Sequence, residues 1–273
     1  MMKPKALILH ATGTNRDLEA AQALELAGAQ AEIVHLNQLR RKERSWVDYQ
    51  LLVLPGGFSY ADALSAGRLL ALDLTAYFAD EVRSFVESGK PIIGICNGFQ
   101  ALVKSGILPG RNSMGAGGST HAGGEKLQAT LTFNASGHFE CRWVTLKPVS
   151  QTCLWTRGLT ELIYCPVAHG EGRFILADEA EASNLNNPGL QKSDQIALLY
   201  TFADGTSAGG RYPENPNGSY ADIAGVCNPQ GNVLGLMPHP EDHIYGTQHP
   251  RWGRGESGCS GLPLFVNGVR YVR

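Results

Sequence analysis

The sequence lacks the features that would place a chain on a nucleic acid or in a membrane. Its 273 residues carry a formal net charge of −2, and its longest basic run is "RRKER" at 40–44, so no basic binding surface is predicted. No stretch approaches the roughly 20 apolar residues that a membrane helix needs. The N-terminal "MMKPKALILHATG" has too few apolar residues for the core of a secretion signal. We therefore expect a cytoplasmic location, with no nucleic-acid or membrane partner.

Closely spaced cysteine pairs are also missing. None of the six cysteines belongs to a Cys-x-x-Cys motif, so a structural zinc site has little support and we expect no bound metal. Thiols in the cytoplasm stay reduced, because that compartment disfavours disulfide bonds. The fold must therefore be stabilised by its core.

The composition supplies such a core, since 43% of the residues are hydrophobic and only 18% are charged. In the first half, strand-like apolar runs alternate with helical periodicity, at 6–11, 16–29, 31–36, 49–57, 61–88, 91–96 and 97–106. This alternation predicts a parallel sheet with helices on both faces. Ligands of such sheets bind at the carboxyl ends of the strands.

The second half has a different pattern. Polar and apolar residues alternate as in antiparallel strands, at 127–148, 161–176 and 195–202, and 231–242 contains a last strand. The glycine- and serine-rich segment 109–126 predicts a mobile surface loop. We therefore predict a single α/β domain over 1–273, with an open, mostly parallel sheet flanked by helices and extended by antiparallel strands.

One cysteine lies in a pattern that is typical of a nucleophile. In "PIIGICNGFQ" (91–100), a strand leads through Gly94-x-Cys96-x-Gly98 into a helix, which is the arrangement of a nucleophile elbow. The glycines permit a sharp turn, and the positive end of the helix favours the thiolate. The alternative is a buried structural cysteine, which is the common state of a free cysteine.

A base for such a nucleophile is available in "MPHPED", where His239 and Glu241 are two residues apart. In an extended chain both side chains would project to one face, so Glu241 could orient the imidazole toward Cys96. A surface turn with unrelated polar residues is one alternative. A metal site formed by His239, Glu241 and His243 is another, although no second cluster of ligands accompanies it.

Acyl chemistry at Cys96 also requires donors for an oxyanion. "LPGGFSY" (54–60) places Gly56 and Gly57 at the end of a neighbouring strand, where the backbone can approach a substrate closely. The backbone amides of Gly57 and Asn97 are the expected donors. Taken alone, Pro-Gly-Gly is an ordinary turn.

Together, these motifs resemble those of a known family. "GICNGFQAL", "LPGGFSYAD", "AHGEGRF", "NPNGS" and "GNVLGLMPHPED" are similar to motifs of the class I glutamine amidotransferases, which have a flavodoxin-like fold. "GGFSY", "NASGHFECRWV" and "AHGEGRF" narrow the resemblance to the glutaminase subunits of phosphoribosylformylglycinamidine synthase, an enzyme of purine biosynthesis. The resemblance covers nearly the whole chain.

The resemblance implies roles for individual residues. Cys96 would attack the side-chain amide of L-glutamine, and His239, held by Glu241, would transfer protons. Gln100, Gly56, His169 and Gly170 would line the substrate pocket.

It also implies partners. The ammonia would pass to a synthetase subunit that converts formylglycinamide ribonucleotide to the amidine, with a small accessory subunit also present. ATP and magnesium would bind to the synthetase, and this chain would need no cofactor. The sequence departs from the family at Arg16, where Cys is frequent, and at Ala61, where Gly is usual.

Two other functions remain open at this point. A regulatory or binding module could keep the fold without turnover, although all three triad residues are present. A DJ-1/PfpI-type cysteine hydrolase would share the elbow but would not require "PHPE" on the last strand.

Overall fold

The fold is built around one large sheet. The structure is a computed structural model that describes residues 2–110, 129–176, 190 and 193–273. Its strands are β1 Lys5–His10, β2 Gln30–His35, β3 Leu51–Leu54, β4 Ile92–Ile95, β5 Ala129–Thr132, β6 Glu140–Pro148, β7 Ile163–His169, β8 Arg173–Leu176, β9 Ile196–Thr201, β10 Ile223–Cys227 and β11 Val233–Leu236. The α-helices are α1 Asp17–Ala27, α2 Leu36–Arg40, α3 Arg68–Ala76, α4 Ala79–Glu87, α5 Asn97–Lys104 and α6 Leu262–Tyr271.

Nine of these strands form the sheet, in the order β2–β1–β3–β4–β11–β10–β9–β6–β7. The five strands from β2 to β11 in this order are parallel. The remaining four continue the sheet with antiparallel pairing. Strands β5 and β8 pair with each other in a separate two-stranded sheet. The predicted α/β fold, a mostly parallel open sheet with antiparallel additions, is confirmed.

The centre of the sheet is apolar on both faces. Every residue of β3 ("LLVL") and β4 ("IIGI") is buried, as expected for parallel strands that are covered by helices on both sides. Helix α5 packs closely on β11, where a Cβ at Gly235 would lie only 2.0 Å from the Phe99 ring. The helix that follows β4 is therefore held tightly against the sheet.

Several predicted elements differ from the structure. The helical region at 61–88 is divided into α3 and α4, and a 3-10 turn over Ser59–Asp62 precedes them. The strand β10 and the C-terminal helix α6 were not predicted. Apart from Pro109 and Gly110, the predicted mobile loop at 109–126 lies outside the described residues, and the single-domain assignment stays a prediction. No helix in the described part of the chain is long and apolar enough to cross a membrane.

The topology brings distant segments together. Strand β4 lies between β3 and β11, with Gly94 paired to Leu54 on one side and to Gly235 on the other. These three strands are parallel, so their carboxyl ends meet at one edge of the sheet. The segments that follow them carry the predicted oxyanion glycines, the predicted nucleophile and the predicted base.

Candidate active site

Cys96 occupies a strained turn between β4 and α5. Its backbone angles are φ 50° and ψ −104°, a conformation that residues other than glycine rarely adopt. Gly98 makes the turn possible, because a Cβ at this position would lie 1.9 Å from the carbonyl oxygen of Leu54. Gly94 is equally restricted, since its Cβ would lie 2.5 Å from Leu102 Cδ1. The two glycines therefore allow α5 to begin directly behind the sulfur, as the elbow pattern predicted.

The Cys96 thiol lies beside the imidazole of His239 and interacts with it electrostatically. On its other side, Cys96 Sγ is 3.7 Å from the carbonyl oxygen of Ala168. The ring nitrogen His239 Nδ1 lies 2.7 Å from Glu241 Oε1. Since Nδ1 is engaged with the carboxylate, Nε2 is the nitrogen that faces the thiol. The three residues thus form a continuous chain of contacts in which each is buried.

The backbone of the His239–Glu241 segment differs from the expectation. Pro240–Asp242 forms a 3-10 turn rather than an extended strand. Pro240 is the first residue of this turn, where its fixed φ and missing N–H are tolerated. The amide of His239 donates to the carbonyl of Pro166 in β7 at 2.8 Å, which anchors the start of the turn. The turn still brings the carboxylate back to the imidazole.

Burial and charge act in opposite directions on the imidazole. Burial lowers the pKa of His239, but the Glu241 carboxylate and the Cys96 sulfur outweigh it and raise that pKa well above its ordinary value. Glu241 itself is completely buried, and its Oε2 has no hydrogen-bond partner among the described residues. The surroundings therefore stabilise the imidazole once it has accepted a proton.

A second carboxylate and an arginine border the triad. Burial, followed by the charge of Glu241, raises the pKa of Asp242 to about 6. Arg16 Nη1 lies 3.6 Å from Asp242 Oδ1 and 3.1 Å from Glu19 Oε1. The guanidinium thus partly neutralises the second carboxylate. Sequence reasoning noted Arg16 only as a departure from the family pattern.

The expected oxyanion donors belong to the segments that follow β3 and β4. Asn97 is the first residue of α5, so its N–H belongs to the free amides at the positive end of the helix. Gly57 has φ +140° and forms an isolated bridge with Thr14. The bridge uses the amides of Asn15 and Phe58, which donate to Gly56 and Gly13. The Gly57 amide is not used in this bridge.

Gly56 contacts the base directly. A Cβ at this position would lie 2.7 Å from His239 Cε1 and 3.5 Å from Arg16 Cγ. The residue is buried, and its carbonyl oxygen accepts from the amides of Asn15 and Arg16 at 3.3 Å each. Gly56 therefore leaves the space into which the imidazole fits.

Gln100 is buried one turn into α5, and its amide is held at both ends. Gln100 Nε2 donates to the carbonyl oxygen of Glu171 at 2.6 Å, and its Oε1 accepts from Asn97 Nδ2 at 3.0 Å. The side-chain amide can make one further hydrogen bond at each end. This geometry allows a contact with a substrate and also ties α5 to the turn after β7.

His169 is the last residue of β7, and Gly170 begins that turn. Asn134 Oδ1 is 3.0 Å from His169 Nδ1, and Asn134 Nδ2 donates to the carbonyls of His138 and His169, so the amide orientation is defined. An amide oxygen can only accept, so Nδ1 carries the ring proton. Burial and then the charge of His239 lower the pKa of His169 to about 3, which keeps the ring neutral.

One atom of His169 is consequently left without a partner. Nε2 is buried and makes no hydrogen bond to any described residue. In the tautomer set by Asn134, it carries a lone pair that can accept a hydrogen bond. Gly170 is half-buried beside it, and its carbonyl accepts from the Asn134 amide at 2.9 Å. Asn134 was not predicted as a site residue, although it lies in the quoted motif "NASGHF".

The alternative metal set does not assemble as proposed. His243 Nδ1 is instead held by the carbonyl of Tyr164 at 2.5 Å and by Ser260 Oγ at 3.0 Å. The ligand atoms that do lie within 4.8 Å of one another belong to His239, Glu241 and Asp242. The expectation that no metal binds stays a prediction.

Comparison with known proteins finds the same family that the sequence motifs resemble. The model of the CobB/CobQ-like glutamine amidotransferase domain matches residues 3–272. A phosphoribosylformylglycinamidine synthase subunit PurQ from Treponema denticola is 55% identical over 274 residues, covering 99% of this chain and 100% of the relative. The corresponding subunit from Dehalococcoides mccartyi is 45% identical and covers 100% and 99% of the two chains.

A solved structure shows the same relationship. A chain in the structure of PurLQS from Thermotoga maritima is 31% identical, with a TM-score of 0.72 and full coverage of both chains. Together with the family match and the two PurQ relatives, this similarity confirms the predicted family. The chain belongs to the CobB/CobQ-like glutamine amidotransferases and, within them, to the PurQ subunits of phosphoribosylformylglycinamidine synthase.

Proposed function

We propose that this chain is the glutaminase subunit of phosphoribosylformylglycinamidine synthase, which hydrolyses L-glutamine and delivers the ammonia to a synthetase subunit. The observation that carries the proposal is the contact of the Cys96 thiol with His239, whose Nδ1 is 2.7 Å from Glu241 Oε1. A nucleophile, a base and a group that orients the base are the components that thiol-based amide hydrolysis requires.

The reaction would proceed in two stages. His239 Nε2 accepts the thiol proton, and the sulfur of Cys96 forms a bond to the amide carbon of glutamine. The imidazolium gives its proton to the amide nitrogen, the C–N bond breaks and ammonia departs. A glutamyl thioester remains on Cys96. His239 then takes a proton from water, whose oxygen forms a bond to the thioester carbon. The C–S bond breaks to release glutamate, and the imidazolium returns the proton to the sulfur of Cys96. Glu241 holds the imidazole and stabilises its protonated form in both stages.

The surrounding groups would stabilise and orient the substrate. The amides of Gly57 and Asn97 would donate to the oxyanion, and each such donor contributes about 2.7–4 kcal/mol in comparable sites. His169 Nε2 would accept a hydrogen bond from the glutamine, which would satisfy its buried lone pair. Gln100 would contribute its remaining donor and acceptor, while Gly56 and Gly170 would let the backbone approach the substrate.

The proposal extends to the partners. The chain would act in a complex with a synthetase subunit and a small accessory subunit, in the cytoplasm. ATP and magnesium would bind to the synthetase, where formylglycinamide ribonucleotide becomes the amidine. This chain would need no cofactor, because the triad supplies the nucleophile and the proton transfers that amide hydrolysis requires.

Replacing the nucleophile tests the proposal. In a complex reconstituted with the synthetase, Cys96→Ala should lower glutamine-dependent amidine formation by at least about 1,000-fold, because the covalent step is lost. Synthesis from added ammonium should stay within about twofold of wild type, since ammonia would then reach the synthetase without hydrolysis. Both rates are measured as ATP-dependent product formation.

Cys141→Ala is the matched control, because Cys141 is an exposed free cysteine on β6. A diazoketone analogue of glutamine should label the wild type and the Cys141 variant, but not the Cys96 variant. Failure of the wild type to release glutamate even with the synthetase would support a regulatory module. Thiol reactivity without labelling by the glutamine analogue would support a DJ-1/PfpI-type hydrolase.

A further inference from the structure

A buried lysine lies behind the site and has no role in the chemistry described above. The side chain of Lys104, in the last turn of α5, is only 8% exposed. Its Nζ donates to Ser65 Oγ and to the carbonyl oxygen of Ala66, both at 2.5 Å, and lies 3.3 Å from Glu171 Oε2. An ammonium group has three N–H donors. All three therefore have acceptors within the protein.

The partner carboxylate is held equally firmly. Glu171 Oε2 also accepts from Ser65 Oγ at 3.0 Å, and Oε1 accepts from the Ala66 amide at 3.2 Å. The backbone carbonyl of the same residue accepts from Gln100 Nε2 at 2.6 Å. Glu171 lies between His169–Gly170 and Gly172, on the turn that connects β7 to β8. The Lys104–Glu171 pair thus joins this turn to α5 and to the segment around Ser65.

That segment requires external support. It follows Gly57 directly and contains a 3-10 turn over Ser59–Asp62. Five of its residues other than glycine have a positive φ, namely Tyr60 at 55°, Ala61 at 56°, Asp62 at 51°, Leu64 at 65° and Ser65 at 105°. Such conformations persist only where surrounding contacts determine them. The contacts of Lys104 and Glu171 with residues 65 and 66 are of this kind.

A structural role alone would not require a charged pair. Burial lowers the pKa of Lys104, and the nearby Glu171 offsets only part of this cost. Apolar side chains of similar volume often replace a buried ion pair with little loss of stability. Directional hydrogen bonds from one ammonium, in contrast, define where the neighbouring backbone lies relative to α5.

We infer that Lys104 is a positioning residue, which holds the segment after Gly57 and the turn at His169–Gly170 in fixed positions relative to Cys96. The inference rests on the proposed function, because these two segments are the proposed walls of the glutamine pocket. Lys104 touches neither the substrate nor the reacting atoms. Its loss should therefore weaken glutamine binding while leaving the intrinsic reactivity of the thiol intact.

Steady-state kinetics of Lys104→Met and Glu171→Gln, in the complex with the synthetase, test this inference. Without the Lys104–Glu171 pair, fewer contacts hold the two pocket walls in place. Glutamine should then bind less well, and KM for glutamine should rise by about 10- to 100-fold. The rate of Cys96 alkylation by iodoacetamide should stay within about twofold of wild type. The double variant should raise KM no further than the larger single effect, because both substitutions break one pair.

Leu146→Ala is the matched control for stability. Leu146 is a buried residue of β6, and its truncation destabilises the fold without touching the Lys104–Glu171 pair. A purely structural role predicts that KM follows the loss of stability in all variants, so a raised KM in the control would overturn the inference. An unchanged KM in Glu171→Gln would overturn it as well, even if Lys104→Met does not fold. A wild-type complex that releases no glutamate would instead disprove the proposed function, and the inference with it.

Discussion

At the scale of single residues, the position of the base depends on one missing side chain. Gly56 lies so close to His239 that an added Cβ would be 2.7 Å from the ring carbon Cε1. The imidazole cannot move freely away from an added Cβ, because Nδ1 is hydrogen-bonded to Glu241 Oε1 at 2.7 Å and His239 is only 3% exposed. The space at Gly56 is therefore part of the geometry that aligns the triad.

Gly56→Ala should lower kcat for glutamine hydrolysis by about 100-fold or more, since a displaced imidazole no longer meets the Cys96 thiol. The free energy of unfolding should fall by only about 1–3 kcal/mol, as for other overpacked sites. Glutamate release and urea unfolding measure the two quantities. In Gly253→Ala both should be unchanged, because a Cβ there would meet nothing within 4 Å. Wild-type kcat in Gly56→Ala would contradict the argument.

The triad residues could be predicted from the sequence because their chemistry shows in the spacing of neighbouring residues. Cys96 lies between two glycines, and His239 is two residues from Glu241, so each pattern could be recognised without knowing the fold. Asn134 and Lys104 could not be identified in this way. Their partners at 169–172 and 65–66 are more than 30 residues away in the sequence, and only the packing of the loops brings them together.

At the scale of elements, the segment between β3 and α3 combines strain with several anchoring contacts. The amide of Ser59 donates to Asn97 Oδ1 at 3.2 Å, and the hydroxyl of Tyr60 donates to Asp73. Ala61 has φ 56° and ψ 26°, in the left-handed region that costs residues other than glycine about 1–2 kcal/mol. Glycine, which the family resemblance led us to expect at this position, would adopt this conformation without that cost.

Ala61→Gly should remove this backbone strain, but glycine also makes the unfolded chain more flexible, which offsets part of the gain. The free energy of unfolding should therefore increase by a net amount of about 0.5–1 kcal/mol. Ala63 offers a matched control two residues later, because it is also exposed but has an ordinary φ of −54°. Ala63→Gly should lower the free energy of unfolding by about 0.5–1 kcal/mol. Urea unfolding of both variants measures the difference. Equal changes in the two variants would show that the strain at Ala61 has no energetic consequence.

Apart from β10 and α6, elements with continuous apolar runs or regular periodicity were predicted, whereas those shaped by tertiary contacts were not. The predicted helix over 61–88 is interrupted at Tyr77–Phe78, where the buried Phe78 ring packs on Trp46 at 5.4 Å between ring centroids. The segment Pro240–Asp242 forms a turn instead of the predicted extended chain, because the hydrogen bond from the His239 amide to the Pro166 carbonyl redirects the chain. Neither contact has a local signal in the sequence.

At the scale of the whole molecule, the C-terminal helix is joined to the centre of the sheet through a tryptophan. Trp155 is completely buried, and its indole N–H donates to the carbonyl of Asn232, directly before β11, at 3.3 Å. Helix α6 approaches this ring at Gly268, where a Cβ would lie 2.2 Å from the indole. The last helix thus packs against the residue that supports the strand leading to the base.

Gly268→Ala should therefore destabilise the whole molecule by about 1–3 kcal/mol, because neither the buried ring nor the helix has room to move. The midpoint of urea unfolding should fall accordingly. Arg270→Ala, on the exposed face of the same helix, should change the free energy of unfolding by less than about 0.5 kcal/mol. A Gly268 variant as stable as wild type would mean that α6 does not pack tightly against the ring.

The central position of β11 has a consequence for how the protein is made. This strand is synthesised after the other ten described strands, yet it lies between β4 and β10 and leads to the imidazole. A nascent chain that ends before residue 233 leaves two strand edges unpaired, which favours aggregation with other chains. Its thiol also has no base, so glutamine cannot be consumed before His239 has been synthesised. Interrupted synthesis should accordingly yield insoluble, inactive fragments instead of an unregulated source of ammonia.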